Sequence, residues 1–343
     1  MSGSRVEARI PPAPAARHFN ATLLFYPAGN PRLRLFALWY FTTLMILWNV
    51  LGHTVLGFEQ SWASPPTAIA TAVGVSMLLD GVDARARGRA LRFTGSAGAF
   101  LNFLPACLIP GFACSMLLYT NERLWPLVFA VVVSIGSKLV FRAPVGGGHT
   151  QHVFNPSNLG VGLTLVLLPE VSFAPPYHFT ENVTGLWNLG VPILVLLSGI
   201  VVHALFTGRL PLVAAWVGGF VLQGLARAWL AGTPLLVPLM PMTSAAFIIF
   251  TLYMVPDPAT TPLDPRRQAA FGFCVALVYG VLQRLHLVFG LFYALLIVCA
   301  ARGLALHALA LHRRLRDDRS AAGGSEPAPA RSGRRRGNNR PPR

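Results

Sequence analysis

The chain has 343 residues, of which 54% are hydrophobic and only 12% charged, with a formal net charge of +16. A soluble domain carries about 25% charged residues, so this composition excludes an ordinary soluble protein and points to an integral membrane protein. The positive charge does not argue for nucleic acid, because the basic residues lie between apolar runs and in the tails, as positive-inside topology and attraction to anionic lipid require.

Residues 1–34 form a basic, Pro- and Ala-rich tail with no apolar leader core, so no cleavable signal peptide is expected. Spans are then predicted at about 35–57 and 63–80, the second followed by a loop carrying Arg85, Arg87, Arg89 and Arg92. Tail and loop are both basic, which places them on the cytoplasmic side. Residues 94–120 contain Pro105 and Pro110 and are expected to be broken or kinked. A fourth span, about 125–141, returns to the cytoplasmic side at Lys138 and Arg142. Gly146-Gly147-Gly148, His149, His152 and Phe154-Asn155-Pro156 follow, suggesting a re-entrant loop before a short fifth span at about 155–169. Asn155 suits an N-cap and Pro156 the first helical turn.

The second half carries predicted spans at about 189–206, 210–230, 236–255, 268–283 and 286–306. Ten spans put both termini inside and leave only Arg123, Arg227 and Arg284 among the basic residues at the outer side. The membrane domain is therefore 35–306, and 307–343 is expected to be a disordered, Arg-rich cytoplasmic tail. Asn155-Pro156-Ser157-Asn158 and Asp257-Pro258-Ala259-Thr260 echo one another, one in each half, each beside an interrupted apolar segment. Corresponding interruptions in two halves mark the site in many transporter folds.

Cys107, Cys114, Cys274 and Cys299 lie in apolar runs without a CxxC pair and read as small buried hydrophobes. His149 and His152 have no third ligand nearby, so no metal is expected. No nucleophile elbow, Walker loop or HExxH motif is present, which leaves side-chain catalysis without support. Asn102, Asn158, Asn188, His203 and Gln223 are polar groups in or beside apolar spans, either functional or cross-linking helices.

Four segments carry a resemblance: GSAGAFLNFLPACLIP (95–110), GSKLVF (136–141), FNPSNLGVGLTLVLLP (154–169) and MTSAAFIIFTLYMVPDPATTPLDPRRQAAFG (242–272). Their order resembles the NqrB/RnfD family, membrane components of the Na+-translocating NADH:quinone reductase and of the Rnf electron-transport complex, over about residues 60–305. Within that family the chain looks closest to a stand-alone branch that accompanies enediyne biosynthesis. The resemblance implies an all-α fold of ten transmembrane helices in two inverted five-helix repeats, in a bacterial cell membrane. It also implies a possible partnership with other membrane or redox proteins. In the redox members of the family an FMN is esterified to a threonine after the fifth span. Here the matching stretch is Thr184-Gly185-Leu186-Trp187, and Trp187 has no hydroxyl to esterify. Thr184 or Thr180 would have to substitute.

Two functional readings follow. One is membrane electron transport with a non-covalent FMN or riboflavin, or no flavin at all. The other is a transporter, or an export or resistance component, for a small metabolite. The candidate binding residues are Lys138, Arg142, Gly147, Gly148, Asn155, Asn158, Thr184, Asp257 and Thr260. Lys138 and Arg142 either hold a phosphate beside the glycine loop or anchor a helix end at lipid headgroups.

Overall fold

The computed structural model describes residues 31–121, 123–146, 149–173 and 182–323. Gly147, Gly148 and Thr180 lie outside the described residues, as do 1–30 and 324–343.

Ten helical segments follow one another among the described residues. The first half comprises α1 (Pro31–Leu51), α2 (Ser64–Arg87), α3 (Ala97–Leu117), α4 (Trp125–Val140) and α5 (Pro156–Leu167). The second comprises α6 (Trp187–Val201), α7 (Leu210–Ala231), α8 (Ala245–Ile249), α9 (Pro265–Arg284) and α10 (Gly290–Gly323). Wider π turns extend α1 through Gly52–Leu56, α6 through Val202–Thr207 and α8 through Phe250–Met254. A 3-10 turn, Val237–Thr243, precedes α8 at an angle of 78°. Four short strands complete the chain: β1 (Leu118–Tyr119), β2 (Arg142–Gly146), β3 (His149–His152) and β4 (Ser172–Phe173).

Six helices are long and apolar enough to cross a membrane, or seven if the bent pair around α8 counts as one span. The chain is therefore an all-α membrane protein in its main architecture. Two of the remaining helices, α4 and α5, are apolar but short, at 16 and 12 residues. At 1.5 Å per residue α5 covers about 18 Å of a hydrocarbon core near 30 Å. It is preceded by β2 and β3, an antiparallel hairpin with a bulge between Pro144 and Gly146, where a re-entrant loop is expected from the sequence. β1 pairs with β4, which ties the ends of α3 and α5 to one end of the bundle.

Several expected boundaries shift for physical reasons. The second helix runs past residue 80 to Arg87 because Asp80 is held there by charge. The Asp80 side chain, 1% exposed, accepts from Arg89 and from the backbone and side chain of Arg92, while Asp83 pairs with Arg87 and Arg89. The third span is one continuous helix with Pro105 and Pro110 inside it. The last helix continues beyond 306 to Gly323, because ALHALALHRRLR consists of helix formers and contains no breaker. Its 34 residues reach about 50 Å, so its last third outruns the hydrocarbon core.

Small residues let the helices approach. A methyl group on Gly160 in α5 would lie 2.2 Å from the carbonyl oxygen of Ala130 in α4, and one on Gly272 in α9 would lie 2.4 Å from that of Leu212 in α7. Close backbone contact of this kind supplies the van der Waals energy that holds helices together in lipid. In the second half, fully buried Trp216 stacks among Phe220, Phe247, Phe250 and Tyr279, and its Nε1 donates to Thr251 at 2.9 Å.

Candidate functional site

The two interrupted segments meet at Asn155. As the N-cap of α5, its Oδ1 accepts from the backbone N–H of Asn158 at 3.1 Å and from the Ser157 hydroxyl at 2.9 Å. Its Nδ2 donates at 3.0 Å to the carbonyl of Met254, the last residue of the π turn after α8. A helix end leaves N–H groups orphaned at one terminus and C=O groups at the other. One buried amide, carrying both an acceptor and a donor, satisfies a group of each kind.

Asp257 follows that helix end and organises a turn. Its Oδ1 accepts from the Ala259 N–H at 3.0 Å, its Oδ2 from the Thr260 hydroxyl at 3.2 Å, and its carbonyl from Thr261 Oγ1 at 2.7 Å. Burial pushes the Asp257 carboxyl above its ordinary value, against the pull of the Ala259 and Thr260 hydrogen bonds and the nearby charges of Lys138 and Arg209. The two echoing motifs are not equivalent: Asn155 opens a helix, whereas Asp257 closes off α8 and the next helix is capped by Asp264.

Three side chains from other elements clamp the Asp257 turn. Arg209, 1% exposed at the start of α7, donates from Nε to Thr261 Oγ1 at 2.9 Å and from Nη2 to the Pro258 carbonyl at 3.4 Å. Gln151 of β3 donates to the carbonyls of Pro258 and Thr261, both at 3.4 Å. Arg302, half-buried on α10, donates to the Thr260 carbonyl at 2.7 Å and to Gln151 Oε1 at 2.9 Å. The hairpin, the Asp257 turn, α7 and α10 thus share one polar junction. His203 forms a second polar link close by: from the π turn of α6 it reaches Thr207 at 2.8 Å and the Leu252 carbonyl of the π turn after α8. Such local widening of a helix is frequent at functional sites.

The other predicted residues divide. Asn158 is fully buried one turn into α5, and its Nδ2 donates to the Phe292 carbonyl of α10 at 3.1 Å. Thr260 belongs to the junction, with its carbonyl on Arg302. Lys138 lies at the end of α4 and donates to the carbonyl of Ala106. That carbonyl lies four residues before Pro110, whose missing N–H would otherwise have bonded it. Arg142 spends its guanidinium on Thr150 Oγ1 at 2.8 Å and on the Thr150 and Lys138 carbonyls, both at 3.1 Å. The expected phosphate pair is thus engaged with neutral groups of the protein. Thr184 is exposed before α6, whereas the junction lies beyond the other end of that helix, about 30 Å away by helical rise.

Of the residues expected to hold a flavin phosphate, Lys138 and Arg142 donate to other groups of the protein, and Gly147 and Gly148 lie outside the described residues. Trp187 stands in place of the esterified threonine, and Lys138 and Arg142 are committed to carbonyls and a threonine hydroxyl. A small apolar cavity of about 10 Å³, lined by Trp48, Met116, Val195 and Ile249 among others, contains none of the predicted site residues. It is also smaller than the roughly 300–1,000 Å³ typical of ligand sites.

Gln151, Arg209 and Arg302 are not among the residues predicted from sequence. Arg302 had a legible signal, since it interrupts the apolar run LLIVCAARGLALHALAL. Among the described residues no group of three or more His, Cys, Asp and Glu side chains is placed to hold a metal. No family model matches the chain, and no curated protein matches it.

Proposed function

We propose that the chain is a ten-pass protein of a bacterial cell membrane, with α1–α5 and α6–α10 as its two halves and both termini inside. We further propose that it forms a passage for a small metabolite at the junction of the two interrupted segments. The observation that carries this reading is the Asn155 bridge from the start of α5 to the end of α8. Around it are Asp257, Arg209 and Arg302, charged groups gathered where the interrupted helices end. Interrupted helices with such groups between them are the usual architecture of an alternating-access site. The resemblance to a stand-alone branch near natural-product biosynthesis favours export of, or resistance to, such a product.

Membrane electron transport is the second reading. It is supported by the order of the segments at 95–110, 136–141, 154–169 and 242–272, which resembles that of the redox-complex proteins. An absorbance spectrum of the purified protein separates the two. The transport reading expects no flavin bands, together with solute flux in reconstituted vesicles. Stoichiometric flavin without flux contradicts it.

A further inference from the structure

We propose that His53 and His203 are latches of a matched pair of gates, one at each face of the membrane, with the inner gate fastened in this structure and the outer one unfastened. This deepens the transport reading and rests on the ten-pass topology given there.

The two helices that open the halves end alike. α1 and α6 each pass into a π turn, Gly52–Leu56 or Val202–Thr207, whose second residue is a histidine. Each turn stops at a glycine in the left-handed region, Gly57 at φ 80° and Gly208 at φ 62°. The N–H of Gly57 bonds the Gly52 carbonyl, and that of Gly208 the His203 carbonyl, the same spacing in both. The helix that follows, α2 or α7, carries proline in its first turn. The π turn Phe250–Met254 has neither the histidine nor the glycine. With five spans in each half, α1 runs outward and α6 inward. One copy of the device therefore lies at the outer face and the other at the inner face, as inverted repeats require.

The two copies differ in their hydrogen bonds. Both ring nitrogens of His203 are engaged, one with the Thr207 hydroxyl and one with the Leu252 carbonyl, which ties α6 to the end of the third helix of its half. In His53, Nδ1 donates to the Asn49 carbonyl at 2.9 Å, which leaves Nε2 of the neutral ring as an acceptor. That atom is buried and has no partner among the described residues. Trp48 Nε1, Asn49 Oδ1, Gln60 Oε1 and Ser115 Oγ, from the same outer parts of α1, α3 and the loop after α1, are buried without a partner as well. The one side-chain bond joining these elements runs from Gln60 Nε2 to the Met116 carbonyl. Buried polar groups left unmatched cost free energy, so closing the outer end would recover bonds that the inner end already has. Ser115 is the natural partner for His53: it lies two residues before the end of α3, as Leu252 lies two before the end of the turn that extends α8.

The test uses full-length chains whose native cysteines are replaced, in membrane vesicles of defined sidedness. Leu56→Cys and Val202→Cys, at buried positions of the two π turns, report each gate by their rate of reaction with a membrane-impermeant methanethiosulfonate. His203→Ala should raise the rate at position 202 from the inner face severalfold and lower the rate at position 56 from the outer face, because opening one gate draws population from the state with the other open. His53→Ala and Ser115→Ala should raise the rate at 56 and not that at 202. If His203→Ala does not fold, Thr207→Val should give the same signs more weakly. A rise at 202 with the rate at 56 unchanged means local loosening and overturns the latch pair. Both reporters reacting from one face overturns it too, and the ten-pass reading with it. Coupled rates in a protein that carries flavin bands would reject transport and leave the paired latches standing.

Discussion

Asn155 does two jobs that few side chains can combine. An aspartate keeps the N-cap oxygen but turns a second acceptor toward the Met254 carbonyl; an alanine loses both bonds. Asn155→Ala should therefore destabilise the protein by about 2–3 kcal/mol, from a lost cap and an orphaned buried carbonyl. Asn155→Asp should cost nearly as much, although it preserves the cap. Chemical denaturation monitored by tryptophan fluorescence distinguishes them: a near-neutral Asp variant would show that the Met254 bond contributes little. The cap itself was legible, because Asn-Pro before an apolar run is a helix start. Its second partner was not, because Met254 lies 99 positions away and nothing local encodes that pairing. The partners of Arg209 were not legible for a related reason. An arginine at a helix end looks the same in sequence whether it faces lipid headgroups or, as here, turns inward to Thr261 and Pro258.

At the scale of elements, α3 depends on a neighbour. Pro110 removes the donor for the Ala106 carbonyl, and Lys138 of α4 replaces it. Lys138→Met should cost about 1–3 kcal/mol through the orphaned carbonyl. Adding Pro110→Ala should return most of that loss, since the new N–H bonds Ala106 within the helix. If the double variant is no more stable than Lys138→Met alone, the substitution of donors is not what joins these helices. The prolines were legible as an interruption of a span; that the helix would continue through them was not, because the compensating donor comes from another helix. Close packing makes a second test. Gly160→Val should destabilise by about 1–3 kcal/mol or more, since the side chain meets the α4 backbone, which cannot yield as a flexible side chain would. A neutral result in thermal denaturation would mean that α4 and α5 are farther apart than described.

For the whole molecule, hydropathy made the membrane class and most helix positions legible. The predicted spans at 125–141 and 210–230 differ from α4 and α7 by a single residue at one end. Less legible was everything set by contacts between distant segments: the β2–β3 hairpin, the extension of α2 onto the Asp80 cluster and the meeting of the hairpin with the Asp257 turn. Asn155, Asp257 and Thr260 were legible as polar groups at interrupted apolar segments, while the contacts that bring Gln151, Arg209 and Arg302 to them were not. Residue type announces a polar interruption, but only the fold decides which charges reach it. Everything proposed for function depends on that convergence.

Proximity of Gln151 to Thr261 measures the convergence directly. In a chain whose native cysteines are replaced, a Gln151→Cys/Thr261→Cys pair should be joined rapidly by a short bifunctional thiol reagent in native membranes. A Gln151→Cys/Thr184→Cys pair, at opposite ends of the bundle, should not be. Equal yields for the two pairs, or cross-linking of the second alone, would contradict a junction between the hairpin and the Asp257 turn.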